Sequence, residues 1–311
     1  MEEAFNRKVV DYFPYPIASV YKTLRTDECM DPGPLRLQYI LKTAERIARF
    51  VGVVTLAECR RMLEADSDLS LPKSLGGGFE KQFRRPAFGT WIHFGREGLR
   101  WLKEQGSELV VPALSTLFYD DDGKETQAKE CLDQLVETRN GLSHDKIQAF
   151  RIQDFTRLCE TTYALLTSLL EELRFLQEAS LGYVTAVEVT KKRNAHPLFL
   201  HRIMDLVGPS TEFEGSRPRF SSYRDTNVVI LQYEDNLQNL NLDPLIVFEA
   251  EAGDAPDIFF FNGYDSPRKV HYTGCKHGGL FASSDCLRAE DIETEIDLIL
   301  KLFTIQRQRD E

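Results

Sequence analysis

Several features that mark membrane-spanning, secreted and disulfide-stabilised proteins are scarce in this sequence. Among its 311 residues no run of about eighteen apolar positions occurs, so no membrane-spanning helix is expected. Six cysteines do not make a disulfide framework in a chain of this length, and they suit a reduced, cytoplasmic setting. Residues 1–16 mix charged and aromatic side chains and lack the continuous apolar core of a secretory signal peptide.

Basic residues are also in the minority. The chain has 38 lysines and arginines against 49 aspartates and glutamates, for a formal net charge of −11. This balance argues against a protein that coats nucleic acid through a broad basic surface. A nucleic-acid enzyme with a local cleft of clustered arginines stays compatible with it. The hydrophobic content of 42% is sufficient for one large domain or two ordinary ones.

Apolar residues recur at three- and four-residue steps through the first 180 positions, which is typical of amphipathic helices. The pattern predicts helices near residues 37–51, 91–102, 125–140 and 153–177, the last with a long leucine-rich stripe. Two prolines interleaved with aromatics at 13–16 predict an extended segment laid across an apolar surface.

The character of the sequence changes near residue 180, where β-branched residues take near-alternate positions. Short strand-like runs, separated by turn residues, are found at 183–189, 228–233, 245–248, 258–261 and 269–272. A closing amphipathic helix is expected near 289–303. The predicted fold class is therefore α+β. An all-helical N-terminal domain at 1–179 precedes a small antiparallel β-rich domain at 180–311, which ends in that helix.

One segment carries residues suited to catalysis. Arg139 and His144 lie five positions apart, between two strongly amphipathic helices, and Gly141 between them permits the positive φ that a tight helix stop often needs. An arginine, a polar residue and then a histidine, here Arg139, Asn140 and His144, resemble the signature of the HEPN superfamily. The resemblance covers about the first 180 residues and implies an all-helical bundle with the motif ahead of its last long helix.

The resemblance implies a metal-independent endoribonuclease without a cofactor, of the kind found in bacterial defence and toxin–antitoxin systems. Its substrate would be RNA, such as tRNA or mRNA, and it would act as a homodimer, with a regulatory partner or antitoxin as a further expectation. The residue types suit this chemistry. A histidine can exchange a proton with the RNA 2′-hydroxyl near neutral pH, while an arginine can hold two phosphate oxygens.

Other interpretations of the motif stay open. Glu137 either orients Arg139 or is an ordinary surface residue of the helix. Arg139 and His144 could instead cap the helix C-terminus and complement its dipole. The second functional hypothesis is a non-catalytic HEPN-like module that dimerises or binds a partner in a signalling or defence complex.

Two further groups of residues have side chains suited to binding. Lys81, Arg84 and Arg85 are interleaved with aromatics, a pattern that can bind RNA but is more often a partly buried loop with solvated charges. Cys275, His277 and Cys286 resemble zinc ligands in type but not in spacing, because no Cys-x-x-Cys pair accompanies them. A hairpin and glycine-rich loop is the favoured interpretation there, and no metal site is predicted.

Overall fold

The computed structural model shows an α+β protein in which helices are followed by two antiparallel sheets and a C-terminal helix. It describes residues 2–142, 150–209, 215–216, 219–220, 223–233, 238–249, 256–265, 269–276, 280–283 and 288–304. In the described part of the chain, no helix is long and apolar enough to cross a membrane. The helices are α1 (Glu2–Tyr12), α2 (Tyr15–Leu24), α3 (Pro34–Ala65), α4 (Lys73–Gly76), α5 (Phe79–Arg84), α6 (Phe88–Glu104), α7 (Gln127–Gly141), α8 (Ile152–Glu172) and α9 (Ala289–Thr304).

The extended segment predicted at 13–16 is wrong in its second half. Pro16 lies in the first turn of α2, where its missing N–H leaves no hydrogen bond unmade and its fixed φ already suits a helix. The residues before it are strand-like: Pro14 forms an isolated bridge to Val207, and the Tyr15 amide donates to the Leu206 carbonyl at 2.9 Å. The prolines thus begin a helix that is tied to the β-rich half.

Helix α3 is the centre of the helical half and packs closely against α6. Its middle is buried on nearly all sides, including two arginines, Arg46 and Arg49. The two helices approach at glycines: a Cβ built on Gly52 would lie 2.9 Å from both the ring and the carbonyl oxygen of Trp91. Small residues at this crossing let the helix backbones come together, which explains how a 32-residue helix is enclosed.

Helices α7 and α8 pack on each other and on α3, as the apolar stripes predict. Gly141 does not adopt the positive φ that a glycine permits. It is the last residue of α7, and the next residue, Leu142, has an extended backbone with φ −88° and ψ 90°. The positive φ is unnecessary because the chain leaves the helix directly into an extended conformation.

The strands form two sheets rather than one. Their bounds are β1 (Ala179–Thr190), β2 (Leu198–Asp205), β3 (Gly215–Ser216), β4 (Arg219–Phe220), β5 (Val229–Tyr233), β6 (Asn239–Asn241), β7 (Ile246–Glu249), β8 (Asp257–Tyr264), β9 (Val270–Gly274) and β10 (Leu280–Ala282). The first sheet has the order β3-β2-β1-β5-β6, with β4 also paired to β2, and the second has the order β10-β9-β8-β7. Neighbouring strands in both sheets are antiparallel.

A cluster of aromatic rings joins the second sheet to the helices. Phe83 of α5 is stacked on Phe79 at 4.9 Å and on Phe261 of β8 at 4.3 Å between ring centroids. Phe79 in turn stacks on Phe303 of α9 at 4.8 Å. All four rings belong to one buried apolar cluster that includes residues of both halves. The division into domains at 1–179 and 180–311 stays a prediction, and the change from helix to strand falls at Ala179.

Candidate functional site

Arg139 lines a cavity of about 420 Å³ between α3, the end of α7 and the start of α8. Three of its polar wall residues come from α3, and several wall residues are apolar. The full lining comprises Pro34, Leu37, Gln38, Leu41, Lys42, Glu45, Arg139, Leu142 and Phe155. A cavity of this size, with few charges on largely apolar walls, has the character of a binding site.

The amphipathic pattern of α7 explains why the motif faces outward. The Thr126 hydroxyl accepts the Lys129 amide at the start of the helix, and one helix face is buried through Ala128, Cys131, Leu132 and Leu135. Glu137, Arg139 and Asn140 fall in the last turns and are all exposed. They are therefore available to a ligand rather than enclosed within the subunit.

The predicted site residues are only partly brought together among the described residues. Arg139 lines the cavity, whereas Asn140 and Glu137 neighbour it in sequence without forming its wall. His144 lies outside the described residues, so its position relative to Arg139 stays a prediction.

The charges on the cavity wall favour an anion. Glu45 is the one carboxylate of the lining, and it accepts a hydrogen bond from Arg49 at 3.1 Å. That pairing compensates the charge of Glu45. In the part of the chain that the structure describes, no carboxylate pairs with Arg139 or with Lys42. The cavity thus presents two cations that lack a partner carboxylate there.

Lys42 contributes a cation in partly apolar surroundings. Burial lowers the pKa of its ammonium group, the nearby Arg46 lowers it further, and the Cys275 thiol and Glu45 oppose the change. The Lys42 nitrogen lies 5.4 Å from the centroid of the Tyr39 ring. A bound anion would relieve the repulsion between Lys42 and Arg46, so this position favours anionic ligands.

Lys81, Arg84 and Arg85 do not line the cavity that contains Arg139. All three are exposed on or just after α5, whose aromatic residues Phe79 and Phe83 are fully buried. Arg85 forms an exposed ion pair with Asp265 at 3.4 Å, a contact of small energetic weight. Their charges are solvated, but the segment expected to be a loop is helix α5. Their role in RNA binding stays a prediction.

Cys275 is buried, and its environment is that of a thiol packed in the core. The Arg46 guanidinium donates to its sulfur at 3.3 Å, and burial raises the pKa of the thiol to about 12. His277 and Cys286 lie outside the described residues, so the structure does not test whether they bind a metal together with Cys275. Within the described ranges, no cluster of three or more histidine, cysteine or acidic side chains is suited to hold a metal ion.

Lys42 and Gln38 are site residues that the sequence interpretation missed. They lie on α3, far upstream of the motif, and reach it only because α3 packs against α7 and α8. Their signal in the sequence is weak: both are polar positions of a helix whose neighbouring residues Leu37 and Leu41 form the buried face.

Comparison with known proteins adds no assignment: no family model, curated protein or solved structure matches the chain.

Proposed function

We propose that this protein is a metal-independent endoribonuclease of HEPN type that acts in bacterial defence or a toxin–antitoxin pair. The observation that supports the proposal is the position of Arg139. It is exposed at the end of α7 and lines a cavity that it shares with Lys42, and no described carboxylate pairs with either cation. A phosphodiester supplies the negative charge that such a cavity favours.

In the proposed reaction the RNA 2′-hydroxyl attacks the adjacent phosphorus. The new bond joins the 2′-oxygen to phosphorus, the bond from phosphorus to the 5′-oxygen breaks, and the products are a 2′,3′-cyclic phosphate and a 5′-hydroxyl. Arg139 holds the phosphate oxygens as negative charge develops. His144 exchanges protons with the 2′- or 5′-oxygen, Asn140 orients the reacting groups, and Glu137 orients Arg139. No metal or cofactor is needed for these steps.

A homodimer would bring two copies of the motif to one cleft. Two copies of Arg139 and Lys42 would then gather positive charge locally in a protein whose net charge is −11. That arrangement offers an acidic protein a way to retain RNA. A regulatory partner or antitoxin would act by covering the same cleft.

A second candidate is a non-catalytic binding module. The observation that favours it is the apolar part of the cavity, formed by Leu37, Leu41 and Phe155. Such walls suit a partner segment as well as a nucleobase. In this case Arg139 would contribute to affinity, and RNA would remain intact.

The test of the proposal is the chemistry of the RNA ends. The parent protein and His144→Ala are incubated with total RNA and a tRNA pool in the presence of chelator. We expect cyclic phosphate ends with the parent and intact RNA with His144→Ala. His196→Ala, which removes an exposed histidine elsewhere, is the matched control and should cleave like the parent. Equal cleavage by His144→Ala would refute the assignment of that histidine.

A further inference from the structure

A second cavity, of about 260 Å³, lies between α2, α3 and the turn that follows β9. It shares Lys42 with the cavity of Arg139, but its other wall residues are different. The lining comprises Tyr15, Ser19, Val20, Lys22, Thr23, Tyr39, Lys42, Pro209, Cys275 and Lys276. Lysines and hydroxyl groups dominate this list, and it contains no carboxylate.

Contacts from two directions hold the wall made by Cys275 and Lys276. From α3, the buried Arg46 donates to the Gly274 carbonyl at 2.7 Å and to the Cys275 sulfur at 3.3 Å. From β8, Asp257 accepts the backbone amide of Lys276 at 2.8 Å. These bonds fix the turn against α3, so the cavity is a preformed feature of the fold.

The cations of this cavity have no compensating carboxylate on its wall. Lys22 and Lys276 are exposed, Lys42 is half-buried, and none of the three forms an ion pair with another described residue. The nearby Asp257 already accepts the backbone amides of Ile258 and Lys276. The side chains of three lysines therefore line one small space whose wall has no carboxylate, which favours an anionic ligand.

An unpaired hydroxyl is an independent sign of a ligand. The Ser19 oxygen is buried and has no hydrogen-bond partner among the described residues, although it belongs to a wall residue of this cavity. Leaving a buried polar atom unpaired carries an energetic cost that a ligand oxygen would remove. Phosphate oxygens can accept from a hydroxyl and from ammonium groups at the same time.

We propose that this cavity binds the phosphate group of a small phosphomonoester, with Lys22, Lys42 and Lys276 as its cationic contacts and Ser19 as a hydroxyl donor. The volume of about 260 Å³ admits a phosphate with a sugar-sized body and suits a small molecule better than a polymer. The ligand bridges helix α2 of the helical half and the turn after β9 of the β-rich half. This site does not depend on RNA cleavage at Arg139.

Calorimetric titration of the full chain with inorganic phosphate, 5′-AMP and adenosine tests the proposal. We expect saturable binding of phosphate and 5′-AMP and none of adenosine. Lys22→Gln combined with Lys276→Gln should weaken 5′-AMP binding by about tenfold or more, because each lysine supplies a charge-assisted contact. The matched control, Lys191→Gln with Lys192→Gln, removes two exposed lysines elsewhere and should bind like the parent.

Three results would overturn the assignment. The first is the absence of saturable phosphate and 5′-AMP binding by the parent. The second is equal affinity of the Lys22 and Lys276 double variant for 5′-AMP. The third is tighter, lysine-dependent binding of a 2′-O-methyl oligonucleotide without terminal phosphates, which would assign the cavity to an RNA chain. That oligonucleotide has no free 2′-hydroxyl, so binding is measured without cleavage and separately from the function of Arg139.

Discussion

Replacing Phe83 with alanine should destabilise both halves of the protein together. The ring is fully buried and lies between Phe79 and Phe261, with stacking distances of 4.9 and 4.3 Å. Its removal takes apolar area out of the core and leaves a cavity where α5 meets β8. Changes of this kind cost about 3–5 kcal/mol. Since whole-protein stabilities are roughly 5–15 kcal/mol, the loss should be large and easy to measure.

Unfolding in urea is monitored through two signals, one from each half of the protein. The two tryptophans, Trp91 and Trp101, lie on α6, so fluorescence reports the helical half alone. Amide exchange in β8 reports the second sheet. We expect Phe83→Ala to lower the free energy of unfolding by the same amount in both signals, because the rings form one buried cluster.

A matched control and a contrary outcome define this test. Leu298 lies on α9 with 48% of its side chain exposed, so Leu298→Ala should change stability by less than about 1 kcal/mol. The reasoning would be contradicted if Phe83→Ala shifted only the fluorescence transition. In that outcome the amides of β8 would keep their protection from exchange. The two halves would then unfold as separate domains despite their shared core.

Two further predictions concern packing and thiol chemistry. In a thermal unfolding assay, Gly52→Ala should destabilise the protein by about 1–3 kcal/mol, because the new Cβ would clash with Trp91. Gly141→Ala should be neutral or slightly stabilising in the same assay, because a Cβ there meets open space. Equal effects of the two changes would show that the crossing of α3 and α6 is looser than the structure indicates. Cys275 should resist iodoacetamide at pH 8 in the native protein and react after denaturation, because a pKa of about 12 leaves only about one thiol in 10,000 ionised there. Rapid native labelling, mapped by mass spectrometry, would refute its burial beneath Arg46.

The helical half was largely predictable because its helices carry long apolar stripes. The stripes in α7 and α8 placed both helices to within a few residues, and they also indicated where the motif would fall. Helices α1 and α2 are not among the predicted helices, and the second half of the extended segment predicted at 13–16 is the start of α2. The pattern of prolines alone does not distinguish an extended segment from a helix that begins at a proline.

The β-rich half shows what local patterns cannot supply. Strand β2 was not predicted, since its sequence contains His201 and Arg202 and lacks alternation of β-branched residues. It is a strand because it pairs with β1, as in the pairing of Val184 with Ile203. The division of the strands into two sheets likewise depends on pairings between distant segments, which no local window contains.

The candidate site was predictable only in part. Arg139 follows from the motif, and the amphipathic pattern of α7 accounts for its exposure. Lys42 entered the site through the packing of α3, and the cavity itself exists only in three dimensions. The charge of a site is therefore harder to predict than its motif, because it depends on which side chains the fold brings together.

The most direct test of the central claim is the single-turnover rate of RNA cleavage, in chelator, by the parent and by Arg139→Ala. We predict a loss of about 100- to 1,000-fold, since the arginine stabilises charge that develops on the phosphate. Arg7→Ala, which removes an exposed arginine on α1 that does not line the cavity, should cleave at the parental rate. Cleavage by Arg139→Ala at the rate of the parent, with cyclic phosphate ends, would contradict the account.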